Sequence, residues 1–286
     1  TEDLVIPKDV GKLYARAEML ARLPVSVQKR IVTTASGGDD YIGFVVEPYA
    51  SFLAFEIADA DAAAKLLPAG YSLVPTAMFD GTTPRYAGIV GAFSVHTSVF
   101  WGVRTEFYLI AENTKTGMLS WVICDYESNT ISYDPGQGFS GASTQRSVVT
   151  TAHDGSLIVD VEGATGANRL AYSADLGAAW TKPLDQRLWV EGNLSVDYGG
   201  RLTEDESVPF GLLFDPDEMA QALWIPLDAV SVDAATFGAG VLASEPFEAG
   251  CFPYAQHFLT TSYPVPNRIT DRAELEEALV EVSQPE

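Results

Sequence analysis

Arg104, Glu106 and Tyr108 stand at every second position of an alternating segment, Val103 to Ile110. Side chains on a strand point to opposite faces in turn, so these three share one face. Val103, Thr105, Phe107 and Leu109 share the other. A face carrying a guanidinium, a carboxylate and a phenol is either solvated or lines a polar cavity. If it lines a cavity, Glu106 is the candidate catalytic residue, because an enclosed carboxylate suits general acid or base work near neutral pH. Arg104 on the same face either pairs with Glu106 or holds an anionic group of a substrate. If it is solvated, the pair is a surface ion pair of little consequence.

Other chemistry-bearing residues are sparse. Gly136-Gln137-Gly138-Phe139-Ser140-Gly141 spells G-x-G-x-x-G. No strand–turn–helix unit surrounds it, so it reads as a flexible loop and not as a dinucleotide fingerprint. The backbone N–H groups around Gly138, Phe139 and Gly141 are candidate donors to a carboxylate or an oxyanion. His96 and His257 lie in strand-like segments, and each is a substrate-binding candidate or a hydrogen-bonded core residue. His153 falls in a turn. The three histidines show no metal-ligand spacing, so no metal is expected. No G-x-S-x-G elbow or P-loop occurs.

Several segments together resemble the acetoacetate decarboxylases. Thr105-Glu106 matches a Thr-Glu that opens a strand in that family. Asp125-Tyr126-Glu127 matches its Asp-Asn-Glu. SFLAFEIADADAAAKLLPAGYSLVP, residues 51–75, is similar to its strand, short helix and proline-bearing turn. His257 and Pro266 fit a late strand and proline. The resemblance spans about Tyr49 to Asn267. It implies a glutamate, Glu106, facing an active site, and an assembly of identical subunits. An ungapped reading also brings the family's Tyr-Pro-Lys-Lys onto Phe139-Ser140-Gly141-Ala142, so the Schiff-base lysine and its lysine neighbour are absent. The counterpart of the family's active-site arginine is about Ala50. An amine activated by a neighbouring cation is therefore not carried at those positions. Of the six lysines, Lys182 is the one left as a relocated amine.

These residues need a scaffold, and the sequence supplies mostly strands. Glu112 to Gly117 is a polar hairpin turn between Val103–Ile110 and a second strand from Met118 to Asp125. Further strands are expected at Ile31–Thr33, Tyr41–Val46, Phe52–Ile57, Tyr86–Phe100, Ser147–Ala152, Ser156–Glu162, Asn168–Ala174, Arg187–Tyr198, Val230–Ala234 and Tyr254–Ser262. Turns are expected at Ser36–Asp40 and His153–Gly155. Helices are expected over Asp9–Arg22, Asp59–Leu67, Pro216–Leu223 and the C-terminus from Thr270 or Asp271, residues 270–286. The expected fold class is α+β and mostly antiparallel β. With the resemblance it becomes an acetoacetate-decarboxylase-like, partly closed β-barrel or sheet with a few peripheral helices. One domain spans residues 1–286, with residues 1–40 as an N-terminal helical extension.

Composition bounds the partners. The chain carries 39 acidic and 17 basic residues, a formal charge of −22, with 47% hydrophobic residues. Such a surface repels nucleic acid and anionic lipid, so neither is an expected partner. No apolar run approaches the roughly 20 residues of a membrane span. Two cysteines, Cys124 and Cys251, make no disulfide framework and read as buried thiols in a reducing compartment, expected to be cytoplasmic. No signal peptide is visible. The expected activity is acid–base chemistry of lyase, hydratase, dehydratase or isomerase type on a small or medium organic acid or carbonyl compound, with no cofactor. Glu106 and Arg104 would carry it, with Tyr108, His96, Gly138, Phe139, Gly141 and His257 around the substrate. The alternatives are a β-keto acid decarboxylase with a relocated lysine and a non-catalytic ligand-binding relative.

Overall fold

A computed structural model describes residues 22–28, 41–97, 101–203, 209–261, 269 and 271–282. Apart from Arg22, the helix expected over Asp9–Arg22 lies outside the described residues, as do Ile31–Thr33 and Ser36–Asp40. Residues 25–28 make one helical turn.

The main sheet is built on two long strands. β5 (Arg85–Thr97) and β6 (Trp101–Asn113) pair antiparallel, and β7 (Leu119–Ser128) continues from β6 across the turn at 114–117. On the other edge of β5, two strands share its length. β2 (Ala50–Ile57) pairs with the portion Ala87–Ala92, and β1 (Tyr41–Val46) pairs with Val95–Thr97. Between them Tyr49 takes φ 75°, the one positive φ at a non-glycine among the described residues. Its N–H donates to Phe252 O at 2.6 Å, a contact that holds the kinked chain against the neighbouring strand.

Register in β7 carries one irregularity. Phe107 pairs with Asp125 and Tyr108 with Ile123, so Cys124 is the extra residue of a bulge. A bulge resets the side-chain alternation. Trp121 and Ile123 before it and Tyr126 after it therefore all point to the face that carries Arg104, Glu106 and Tyr108. Strict alternation would have turned Tyr126 away from the other two.

The opposite face of β5–β6–β7 is covered by a second, four-stranded antiparallel sheet. It is formed by β10 (Thr144–Thr151), β11 (Ser156–Gly163), β12 (Arg169–Asp175) and β17 (Val230–Ala235). Leu157, Val159 and Val161 alternate inward from β11 and meet Leu53, Phe55, Val90, Phe107 and Leu109. Removing this apolar surface from water is what joins the two sheets.

The remaining strands extend the main sheet. β18 (Leu242–Phe252), β16 (Gln221–Trp224) and β13 (Trp180–Pro183) follow β2 in order, and β19 (Gln256–Thr261) and β15 (Leu212–Leu213) follow β1. β14 (Val196–Tyr198) lies parallel to β7. β3 (Tyr71–Leu73) pairs with β6 and β4 (Pro75–Thr76) with β5, while β8 (Ser132–Asp134) and β9 (Gly138–Ser140) form a separate hairpin. Of two isolated bridges among the described residues, one joins Phe79 to Leu184 and the other, between Val196 and Phe210, ties β14 to the segment that leads into β15. Apart from such single bridges the sheet is open, so the expected partly closed barrel is met only loosely. The mostly antiparallel architecture with few helices stands.

Two elements differ from expectation. Arg187–Tyr198 is not one strand. It is a π-helical turn at Arg187–Glu191, a 3-10 turn at Gly192–Leu194, and a strand only at Val196–Tyr198. Leu188, Trp189 and Glu191 are all buried, so burial there does not alternate. Glu191 accepts the Leu119 N–H at 2.8 Å, which fixes this turn to β7. Pro216–Leu223 is a short 3-10 turn, Pro216–Met219, running into β16. Helix α1 (Ala60–Ala64) is capped by Asp59, which accepts from Ala62 N. Helix α2 (Arg272–Val282) begins where Asp271 accepts from Glu274 N at 2.9 Å. No helix among the described residues is long and apolar enough to cross a membrane.

Candidate functional site

A cavity of about 340 Å³ lies on the face of β5, β6 and β7 that turns away from the second sheet. Its walls are largely aromatic: Phe52, Phe93, Trp121, Trp189, Phe210 and Phe258. The rings interlock. Phe52 meets Trp189 edge-on at 5.1 Å, and Trp121 tilts against Trp189 at 5.1 Å. Both indole N–H groups are occupied, by Leu188 O at 2.9 Å and Met78 O at 2.8 Å. The walls are therefore held in place and give the cavity no indole donor.

The polar surface is concentrated on β6. Glu106 is buried, with one carboxylate oxygen accepting from Arg104 Nε and the other from the Tyr108 hydroxyl. Arg104 Nη1 donates to Ser132 Oγ at 2.9 Å. Its guanidinium lies 4.1 Å from the centre of the Tyr126 ring. The Tyr126 hydroxyl in turn donates to Asp134 Oδ2 at 2.9 Å. Thr130 also lines the cavity, and its buried Oγ1 has no hydrogen-bond partner among the described residues.

Burial sets the protonation of this cluster. Removal from water favours the neutral phenol. It pushes Tyr126 up to about 12, with Arg104 opposing and Asp134 reinforcing. Tyr108 and Tyr198 are held well above the usual phenol range for the same first reason, and the Glu106 charge adds to both. Burial, the largest single influence, would depress the Arg104 guanidinium, but Glu106 by charge and hydrogen bond, together with Tyr198 and Tyr126, outweighs it and the net direction is upward. At neutral pH the three phenols are donors and Arg104 is a cation.

Of the residues expected around a substrate, Arg104, Glu106 and Tyr108 line this cavity together. The others are not among its lining residues. His96 Nδ1 pairs with Glu47 at 2.7 Å, and exposed His257 donates its backbone N–H to Glu218 Oε2 at 2.7 Å while its Nδ1 lies 2.8 Å from Glu218 Oε1. Gly138, at φ 78°, packs against the Gln28 amide, and the Phe139 N–H donates to Gln28 Oε1 at 2.7 Å. A Cβ at Gly141 would meet nothing within 4 Å. Gly138, Phe139 and Gly141 therefore do not line the cavity, whereas Ser132 and Tyr133 of β8 do. Lys182 Nζ sits 4.5 Å from the centre of the Trp224 ring, and neither it, Lys65 nor Lys115 lines the cavity. No group of three or more His, Cys, Asp or Glu among the described residues is placed to hold a metal ion.

Sequence reasoning missed Trp121, Tyr126, Thr130, Ser132 and Trp189. Alternation along β7 could have grouped Trp121 with Ile123, but only the bulge brings Tyr126 to the same side. Ser132 and Trp189 come from a short hairpin and a helical turn with no periodic signal.

No family model matches the chain, and no curated protein matches it. Among solved structures, an acetoacetate decarboxylase from Legionella pneumophila subsp. pneumophila str. Philadelphia 1 superposes with a TM-score of 0.45 at 11% identity, over 76% of this chain and 84% of that one. A likeness of that extent assigns neither a residue nor a reaction.

Proposed function

We propose that the protein is an enzyme acting on a small or medium organic acid or carbonyl compound by acid–base chemistry, without an imine on a lysine. The observation that carries this reading is the buried Arg104–Glu106–Tyr108 group set into a largely apolar cavity. Burying charge is costly, and such clusters concentrate where proteins do chemistry. The cavity volume, about 340 Å³, falls at the lower end of the range typical of small-molecule sites.

Glu106 accepts two hydrogen bonds, whereas a carboxylate offers about four lone-pair positions. It keeps capacity to take a proton from the carbon next to a ligand carbonyl. When the proton moves, the negative charge passes from Glu106 to the enolate oxygen, and Arg104 remains its counter-ion throughout. Return of the proton at another carbon gives isomerisation. Return to a β-hydroxyl, which leaves as water, gives dehydration. Neither route needs an amine.

The second reading is a non-catalytic binding module. It is favoured by the same two hydrogen bonds, which already engage both Glu106 oxygens. Deuterium incorporation separates the two. A panel of aryl and alkyl ketones is incubated with protein in D2O and followed by NMR. Exchange at the α-carbon above background, lost roughly 10²–10⁴-fold in Glu106→Gln while ligand-induced thermal stabilisation persists, is the enzyme outcome. Stabilisation with no exchange in the wild type is the binding-module outcome.

A further inference from the structure

Among the described residues, two lining groups are charged, Arg104 and Glu106, and they neutralise one another within the cavity. Buried Asp134 is joined to the cluster through Tyr126, and the further cation that acts on it, Arg201, is exposed, paired with Asp125 and outside the lining. The chain as a whole carries −22. A ligand carboxylate entering this cavity would lose its water, meet a cation already paired, and approach a like charge on Glu106. A neutral carbonyl compound meets none of these penalties. Arg104 Nη2 makes no hydrogen bond among the described residues, and Thr130 Oγ1 is buried without a partner. Both can serve the oxygen of an uncharged ligand, while Phe52, Trp121, Trp189 and Phe258 enclose a flat or ring-bearing body.

We infer that the ligand of this cavity is an uncharged carbonyl compound with an aromatic or similarly flat apolar portion, and not an organic acid. The inference rests on the cavity reading given above and chooses between the two substrate classes it left open.

The test uses a matched pair of the same heavy-atom count, 4-phenylbutan-2-one and 3-phenylpropanoate, titrated near neutral pH into the full-length protein. Binding is followed by tryptophan fluorescence, since Trp121 and Trp189 line the cavity, and by thermal shift. The ketone is expected to bind on the order of tenfold tighter or better. Equal or tighter binding of the acid overturns the inference and leaves the cavity reading intact. Failure of both to bind at millimolar concentration overturns both. In Glu106→Gln the paired cation loses its counter-charge, so the preference should move toward 3-phenylpropanoate by on the order of tenfold or more. An unchanged preference in a folded variant also overturns the inference. If the variant does not fold, the wild-type titration decides alone.

Discussion

Arg104 and Glu106 sit two residues apart on one strand, and their side chains close an ion pair on its cavity face while Tyr108, two residues further, completes it from the other side. Three successive positions of one face thus build the polar floor without help from a distant element. Ser132 only braces it from the β8 hairpin.

Breaking that pair from one side should be far more damaging than replacing both partners. Arg104→Met leaves Glu106 as a buried charge whose cation is gone, at an expected cost of about 3–5 kcal/mol. The double variant Arg104→Met/Glu106→Leu should cost clearly less than the sum of the two single changes. Urea denaturation of the four proteins measures this, and strict additivity would show that the two groups act independently.

Asp134 gives a pH dependence with a definite sign. Burial raises its carboxyl, because the charged form loses water, and hydrogen bonds from Gln137 and Tyr126 offset this only in part. Folded Asp134 therefore keeps its proton to higher pH than the unfolded chain does. Between the unfolded and the raised folded value the native state binds more protons, so this group's contribution to stability falls as pH rises through that window and is level above it. Glu248 is shifted the same way by burial. In a denaturation series from about pH 4 upward, the wild-type stability minus that of Asp134→Asn should decline and then level off. A difference that rises with pH would contradict the assignment.

Cys124 and Cys251 are both buried, and burial pushes each thiol up to about 12. The reactive form of a cysteine is the thiolate. Iodoacetamide near neutral pH should label neither residue in the folded protein and both in denaturant, read by intact mass. Rapid labelling of either in the native state would mean that it is reached by solvent and ionised.

Gln28 is 1% exposed, and its side chain links two separated pieces of chain by accepting from Phe139 N and donating to Leu23 O at 2.8 Å. Gln28→Ala leaves the Phe139 N–H without its acceptor, for an expected loss of about 1–3 kcal/mol. Hydrogen exchange at the Phe139 amide should accelerate first. Unchanged exchange there would mean the hairpin of β8 and β9 holds itself.

Gly91 faces Phe52 so closely that an added Cβ would stand 2.6 Å from its ring. Phe52 is a cavity wall, packed on Phe93, Trp189 and Phe252, and it has little room to retreat. Gly91→Ala should therefore destabilise the protein by about 1–3 kcal/mol and weaken cavity ligands by displacing that ring. Full wild-type stability and affinity would show the wall to be compliant.

The floor of the site was legible in the sequence because it depends on one rule, the period of two along β6. Strand β11 was legible for the same reason, through its alternating Leu157, Val159 and Val161, although its membership of a second sheet was not. What lay beyond reach depends on contacts remote in sequence. Cys124 takes the bulge only because β6 and β7 pair in that register. Trp189 reaches the cavity from a turn whose shape is set partly by Glu191 binding the Leu119 N–H. The glycines at 136–141 suggested free donors, yet Gln28, more than 100 positions earlier, occupies the Phe139 amide.

The cavity wall has one weak joint. Val196 and Phe210 exchange two backbone hydrogen bonds, of 2.7 and 2.8 Å, and both residues line the chamber. Everywhere else around that circuit the neighbouring segments are zipped by two or more adjacent residue pairs, nine of them between β5 and β6. Parting this joint would free a side of the chamber while Arg104, Glu106 and Tyr108 stay fixed between their neighbours on β5 and β7. Under the proposed chemistry, a ligand passing at this joint would leave the acid–base residues where they are.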